Sequence, residues 1–228
     1  SFLDFPPSMS TATAESLLSS AKNEGNKVLI NAANSDPCFY WNSSTFNETQ
    51  FVADVGKFLP SIAKYKDVVL GIITLNEPNN VDSTACSNVP ASALYNAAKA
   101  LRPKFTENGL SSTFLFGFGT TTPTYYNTVA NDGTINLSNV QYTSNKGTLA
   151  SFVTNQEANA AAVGHKLYFT VNAERQGASL TSDLNYICQN VSASRVVMVG
   201  YWKWDSAGGN QTVPLSDLIR VRDTCSLR

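Results

Sequence analysis

The stretch Asp67-Val68-Val69-Leu70-Gly71-Ile72-Ile73-Thr74-Leu75 constrains the fold more than any other part of the chain. Its apolar, β-branched residues run on without the polar alternation of a strand that wets one face, so both faces must be covered. Strands of that kind belong to parallel sheets, whose neighbours are joined by helical crossovers. The remaining sequence supplies them. Residues 11–24 carry a helical pattern, 27–33 an apolar strand, and 47–64 a second helix with Phe51, Val52, Val55, Phe58 and Leu59 at core-facing spacing. Helix 91–108, strand 113–118, a weaker strand near 138–143, helix 148–163, strand 166–172, helix 179–191 and strand 195–202 follow. This strict alternation predicts an α/β fold with a parallel sheet. No glycine-rich phosphate loop follows the first strand, which weighs against a doubly wound nucleotide-binding sheet. The expected fold is a shortened TIM-like (β/α) barrel with about six to seven parallel strands, forming one domain over residues 1–228.

Composition narrows the setting. With 43% apolar and 14% charged residues the chain can bury a core, and a net charge of -1 offers no basic field for nucleic acid. No apolar run is long enough to span a bilayer. The four cysteines lack metal-ligand spacing and allow three disulfide pairings. In the strand order above, Cys38 and Cys86 fall in loops after consecutive strands, and Cys225 ties the tail to the helix that carries Cys188. The expected bridges are therefore Cys38–Cys86 and Cys188–Cys225. Glycosylation sequons stand at Asn42, Asn47, Asn136, Asn190 and Asn210. Together with the even cysteine count they point to a secreted glycoprotein, extracellular or in a cell wall, and the start at Ser1 reads as a processed chain.

In a parallel barrel the chemistry belongs at the carboxyl ends of the strands. Those ends read Asn76-Glu77-Pro78, Asn172-Ala173-Glu174 and Tyr201-Trp202-Lys203-Trp204. Two carboxylates and an aromatic floor thus converge on one rim. Glycoside hydrolysis needs such a pair, one carboxyl to protonate the leaving oxygen and one to attack or activate water. Alternation puts Trp202 and Trp204 on one side of their strand, where their rings could stack on sugar faces. His165, the only histidine, precedes a strand and is expected on the opposite rim in a structural role. Asp36, Asp82 and Asp205 have no calcium-loop spacing, and Gly117-Phe118-Gly119 reads as a close-packed strand exit. No metal or organic cofactor is implied.

Three stretches carry a family resemblance: VVLGIITLNEPNN, NAERQGASLTSDLNYICQNV and VGYWKWDSAGG. In this order and spacing they resemble glycoside hydrolase family 5, closest to its fungal exo-β-1,3-glucanase branch, over roughly residues 11–215. The resemblance implies a retaining glycosidase acting on β-glucan, with Glu77 as acid/base and Glu174 as nucleophile. It also implies that Asn76 holds the sugar 2-hydroxyl, that Trp202 lines the sugar site and that Tyr142 lies near the nucleophile. A retaining pair is expected about 5–5.5 Å apart.

The departures are specific. Ala33 and Val140 stand where the family has histidines, and Arg175 follows Glu174 where it has tryptophan. The family's first strand and helix have no counterpart here, and neither does the arginine at the end of its second strand. An open sheet edge should result, to be covered by Ser1-Phe2-Leu3-Asp4-Phe5 or by self-association with a partner chain. The alternative reading is accordingly a catalytically inactive, glycosidase-like carbohydrate-binding or cell-wall protein.

Overall fold

The computed structural model describes residues 2–81, 84–172 and 180–202, with the backbone alone at Ser144, Asn172 and Trp202. Seven strands, β1 (Phe2–Asp4), β2 (Val28–Asn31), β3 (Val69–Thr74), β4 (Phe116–Phe118), β5 (Leu137–Tyr142), β6 (Lys166–Asn172) and β7 (Val196–Trp202), follow one another in chain order in the sheet. The registers of β1–β2, β2–β3, β3–β4 and β6–β7 are all parallel. The fold is thus α/β, of the shortened TIM-like (β/α) type. The N-terminal Phe2–Asp4 segment lies along β2, so this stretch itself lengthens the sheet at the edge expected to be open.

The chain groups into two compact units. Among the described residues, the first runs to Thr121 and includes Tyr125–Leu137; the second holds Thr122–Thr124 and the residues from Ser138 to Trp202. In the first unit, α1 (Thr11–Asn23), α2 (Glu48–Gly56), α3 (Leu59–Lys64) and α4 (Ala91–Glu107) cover one face of β1–β4. Local chemistry sets their ends: the Ser10 hydroxyl accepts from the Thr13 amide at the start of α1, and Asn47 accepts from Gln50 at the start of α2. Alternation sends Val28, Ile30, Ile72, Phe116 and Phe118 into this layer. There an aromatic seam closes the core, with ring centroids 5.4 Å apart for Phe5–Phe58, 6.1 Å for Phe51–Phe118 and 5.8 Å for Phe105–Phe116.

In the second unit, α5 (Leu149–Ala162) and α6 (Leu180–Asn190) pack on β6 and β7 through Phe152, Phe169, Leu184 and Ile187. His165 lies just ahead of β6, 3% exposed, with Nδ1 2.8 Å from the Ser138 hydroxyl. It sits at the strand's amino end in a buried structural contact, as the sequence leads one to expect.

Two sequence expectations need correction. The helix expected over 47–64 is two helices, because Pro60 has no amide to donate to the Gly56 carbonyl and the chain restarts at Leu59. Strict alternation also fails once, since only a 3₁₀ turn at Pro123–Tyr126 joins β4 to β5. The intervening sequence, rich in threonine, asparagine and glycine, has no apolar stripe from which to build a crossover helix.

The Cys38–Cys86 bridge is present, with the Cα atoms 5.5 Å apart. It joins the loop after β2 to the loop after β3. Cys225, the expected partner of Cys188, lies outside the described residues, among which no cysteine is free. Among those residues no helix is long and apolar enough to cross a membrane.

Candidate functional site

The carboxyl end of β3 leaves the sheet through an unusual backbone. Leu75 and Glu77 both adopt left-handed conformations, with φ of 58° and 46°. For non-glycine residues each costs roughly 1–3 kcal/mol, which surrounding contacts have to offset. Those contacts are visible. The Asn76 amide donates to the Ser35 carbonyl at 2.6 Å, and the Gly119 amide donates to the carbonyls of Thr74 and Leu75 at 3.0 and 2.9 Å. Gly119 can approach so closely because it lacks a side chain; a Cβ there would stand 2.6 Å from the Leu75 oxygen. The turn then closes on itself, with the Asn80 amide donating to the Glu77 carbonyl at 2.9 Å and the Val89 amide to Pro78 at 2.8 Å.

This clamp presents Asn76 exposed and Glu77 half-buried at the rim. The Asn80 side-chain amide donates to Glu77 Oε2 at 3.3 Å, the one side-chain contact described for that carboxylate. The pattern Asn-Glu-Pro was legible in the sequence, but the paired left-handed residues were not. In the loop after β2, a depression of about 510 Å³ is bordered by Phe39, Trp41, Asn42 and Glu48.

Sequence reasoning missed a buried polar chain behind the rim. The Asn34 amide donates to the Tyr40 hydroxyl at 3.0 Å, which donates to Asp54 Oδ2 at 2.7 Å. The Gln50 side-chain amide donates to the other Asp54 oxygen, also at 2.7 Å. Tyr40 and Asp54 are only 2% and 8% exposed. Burial, then the bond to Asp54, pushes the Tyr40 phenol well above its ordinary range, so it stays a donor at any physiological pH. The signal was an aspartate on the same helical face as Phe51 and Val55.

The other expected site residues come later in the chain. Tyr142 ends β5, is 6% exposed, and donates its hydroxyl to the Gly147 carbonyl at 3.1 Å. Burial raises its pKa, with a smaller contribution from the Asp183 charge. The strands β6 and β7 end in register at Asn172 and Trp202. Glu174, Arg175 and Trp204 lie outside the described residues, as does the side chain of Trp202. Ala33 and Val140, which the resemblance aligns with histidines, are both fully buried in apolar clusters.

The sequons divide by what their side chains already do. Asn42 and Asn47 are exposed, and only their oxygens are engaged, accepting from Ser44 and Thr45 and from Gln50 respectively. The Asn136 nitrogen donates to the Thr113 carbonyl at 3.1 Å while its oxygen accepts from the Phe116 amide at 2.8 Å. A glycan on that nitrogen would displace it from the start of β4. The Asn190 nitrogen bonds the Tyr186 carbonyl on an exposed helix end, and Asn210 lies outside the described residues. Peptide mass mapping after expression through a secretory pathway is expected to find glycan on Asn42 and Asn47 and none on Asn136.

The sequence matches no protein-family profile and no curated protein. Solved structures do match. An endo-β1,6-glucanase superposes with a TM-score of 0.52 at 15% identity, over 81% of this chain and 49% of that one. A hyperthermostable endocellulase gives 0.59 at 12% identity, over 94% and 73%. An endo-1,4-β-xylanase of Penicillium canescens gives 0.50 at 17% identity, over 89% and 70%. This chain spans about half the length of the glucanase. At these identities the likeness defines the fold, a (β/α) barrel type that these three carbohydrate-active enzymes share.

Proposed function

We propose that this chain is a retaining glycoside hydrolase acting on β-glucan, with β-1,3-linked glucose as its preferred substrate. In this reading residues 1–228 form a single glycosidase domain that is secreted and glycosylated. The observation that carries the proposal is Glu77, held half-exposed on a strained turn at the carboxyl end of a central parallel strand. Its setting on a fold shared with a glucanase, a cellulase and a xylanase supports it.

Glu77 would protonate the glycosidic oxygen as Glu174 attacks the anomeric carbon. A glycosyl–Glu174 ester would form as the leaving group departs. Glu77, now a carboxylate, would then take the proton of the water that cleaves that ester, returning the nucleophile with net retention. Asn76 would donate to the 2-hydroxyl, Trp202 and Trp204 would stack on the sugar, and Tyr142 would border the nucleophile. No cofactor enters this chemistry.

A second reading is favoured by the two residues at the histidine positions. Ala33 and Val140 are packed into apolar clusters and offer no proton or hydrogen bond to a site. On that reading the chain binds carbohydrate without cleaving it.

Hydrolysis of β-1,3-, β-1,4- and β-1,6-linked gluco-oligosaccharides by the parent chain, Glu77→Gln and Glu174→Gln separates the two. Each substitution is expected to lower turnover by about 10²–10⁴-fold, and the first product should keep the β-anomeric configuration. Absence of product from the parent, with oligosaccharide binding that survives both substitutions, would establish the binding protein instead.

A further inference from the structure

The buried chain behind the rim ends on the turn that bears Glu77. Ser35 follows Asn34 directly, and its carbonyl accepts the Asn76 amide at 2.6 Å. Asn34 is held at its own amide by the Tyr40 hydroxyl at 3.0 Å, and its side-chain oxygen accepts the Asp36 amide at 3.0 Å. Tyr40 is in turn oriented by Asp54, and Asp54 by Gln50. Five residues, Gln50, Asp54, Tyr40, Asn34 and Ser35, therefore run without a gap from the α2 helix to the backbone between two left-handed residues.

A carboxylate at a core position of an amphipathic helix is costly unless it is bonded on both oxygens, as this one is. Apolar packing would fill the space at least as well. The Tyr40 ring itself is locked by the edges and faces of Phe46 and Phe51, with centroids 6.0 and 5.4 Å away. Its hydroxyl thus has little freedom to leave either partner.

We propose that Tyr40 and Asp54 are positioning residues for the candidate acid/base: through Asn34 and Ser35 they fix the Asn76 amide, and with it the strained turn that aims Glu77. The catalytic half of this proposal rests on the hydrolase reading above; the conformational half does not. Positioning of this kind acts on the transition state more than on substrate binding, so it is read in kcat more than in KM.

Three substitutions test it: Tyr40→Phe, Asp54→Leu and Asp54→Asn. Phenylalanine keeps the ring and removes the tether, and leucine removes the acceptor. Asparagine can still accept the phenol through its oxygen while Gln50 turns its own oxygen toward the new amide, so Asp54→Asn is the rescue. The first readout is native-state hydrogen exchange of the Asn76 amide relative to that of Ile72, which bonds the Leu115 carbonyl at 2.8 Å within the sheet. Loss of overall stability lowers protection at both. Loss of positioning lowers Asn76 alone, by an expected ten- to hundredfold, the range of a hydrogen bond to a charged group. That loss should appear in Tyr40→Phe and Asp54→Leu and be largely restored in Asp54→Asn.

The second readout is kcat on β-1,3-gluco-oligosaccharides, expected to fall about tenfold in Tyr40→Phe with KM nearly unchanged. Unchanged Asn76 protection relative to Ile72 in Tyr40→Phe would overturn the proposal, as would a loss in Asp54→Asn equal to that in Asp54→Leu. A parent chain without hydrolytic activity would refute the hydrolase reading, and the exchange measurement would still decide whether these residues hold the turn.

Discussion

Replacing Gly117 with alanine is expected to destabilise the protein by about 4 kcal/mol or more, a size that few mechanisms reach, overpacking of a buried site among them. Gly117 lies in the middle of β4, and a Cβ built on it would stand 1.9 Å from the Leu137 carbonyl oxygen and 2.8 Å from that carbonyl carbon. Both neighbours are backbone, and β4 is buried throughout. No rotamer change relieves the clash; the strand or the start of β5 has to shift. For a chain of this length a change of this size lowers the melting temperature by about 10 °C. Gly56→Ala is the matched control. Nothing lies within 4 Å of its Cβ position, at the end of α2 where the backbone is already helical. There the same substitution should leave stability unchanged or raise it by up to about 1 kcal/mol, by restricting the unfolded chain. Thermal or urea unfolding of the two variants measures the contrast, and similar values would refute the close approach of β4 and Leu137.

Removing the Cys38–Cys86 bridge is the second large effect expected. The bridge links cysteines 48 positions apart and closes a loop that contains α2, α3, β3 and the Glu77 turn. Loop-closure entropy for that length corresponds to about 4 kcal/mol of stability, acting mainly by restricting the unfolded chain. Equilibrium urea unfolding of Cys38→Ala/Cys86→Ala against the parent checks it, and a loss below about 1 kcal/mol would show that the unfolded chain is restricted by other means. The bridge also has a local consequence. Cys38 belongs to the segment that begins with Asn34 and Ser35, whose carbonyl holds the Asn76 amide. The covalent link and the Tyr40–Asp54 chain therefore converge on one turn, one from the loops and one from the helix layer.

How much of this was open to sequence reasoning depends on whether the signal is local. The β3 run announced a doubly covered parallel strand, and the capping residues Ser10 and Asn47 stand where helices begin. The Cys38–Cys86 pairing followed from strand order alone, because consecutive parallel strands bring their exit loops side by side. Pro60 was also in plain view, yet the apolar spacing over 47–64 masked the break it enforces.

The arrangement of chemistry-bearing groups was legible only in part. Asn76 and Glu77 could be placed at a strand's carboxyl end by counting residues, since a strand's direction and length are properties of its own sequence. The left-handed backbone at Leu75 and Glu77, the Gly119 amide that holds Thr74 and Leu75, and the Tyr40–Asp54 chain could not. Each depends on groups separated in sequence by 14 to more than 40 positions, and hydrogen bonds of that reach carry no periodicity for a sequence to display. Sequence alone thus determined most of the elements and their order, though not the break at Pro60 or the missing crossover before β5, because propensity, capping and apolar period act within a few residues. Tertiary structure decided which backbone is strained, which buried acid is satisfied and where a glycine cannot be replaced, because close packing couples residues that the chain itself keeps apart.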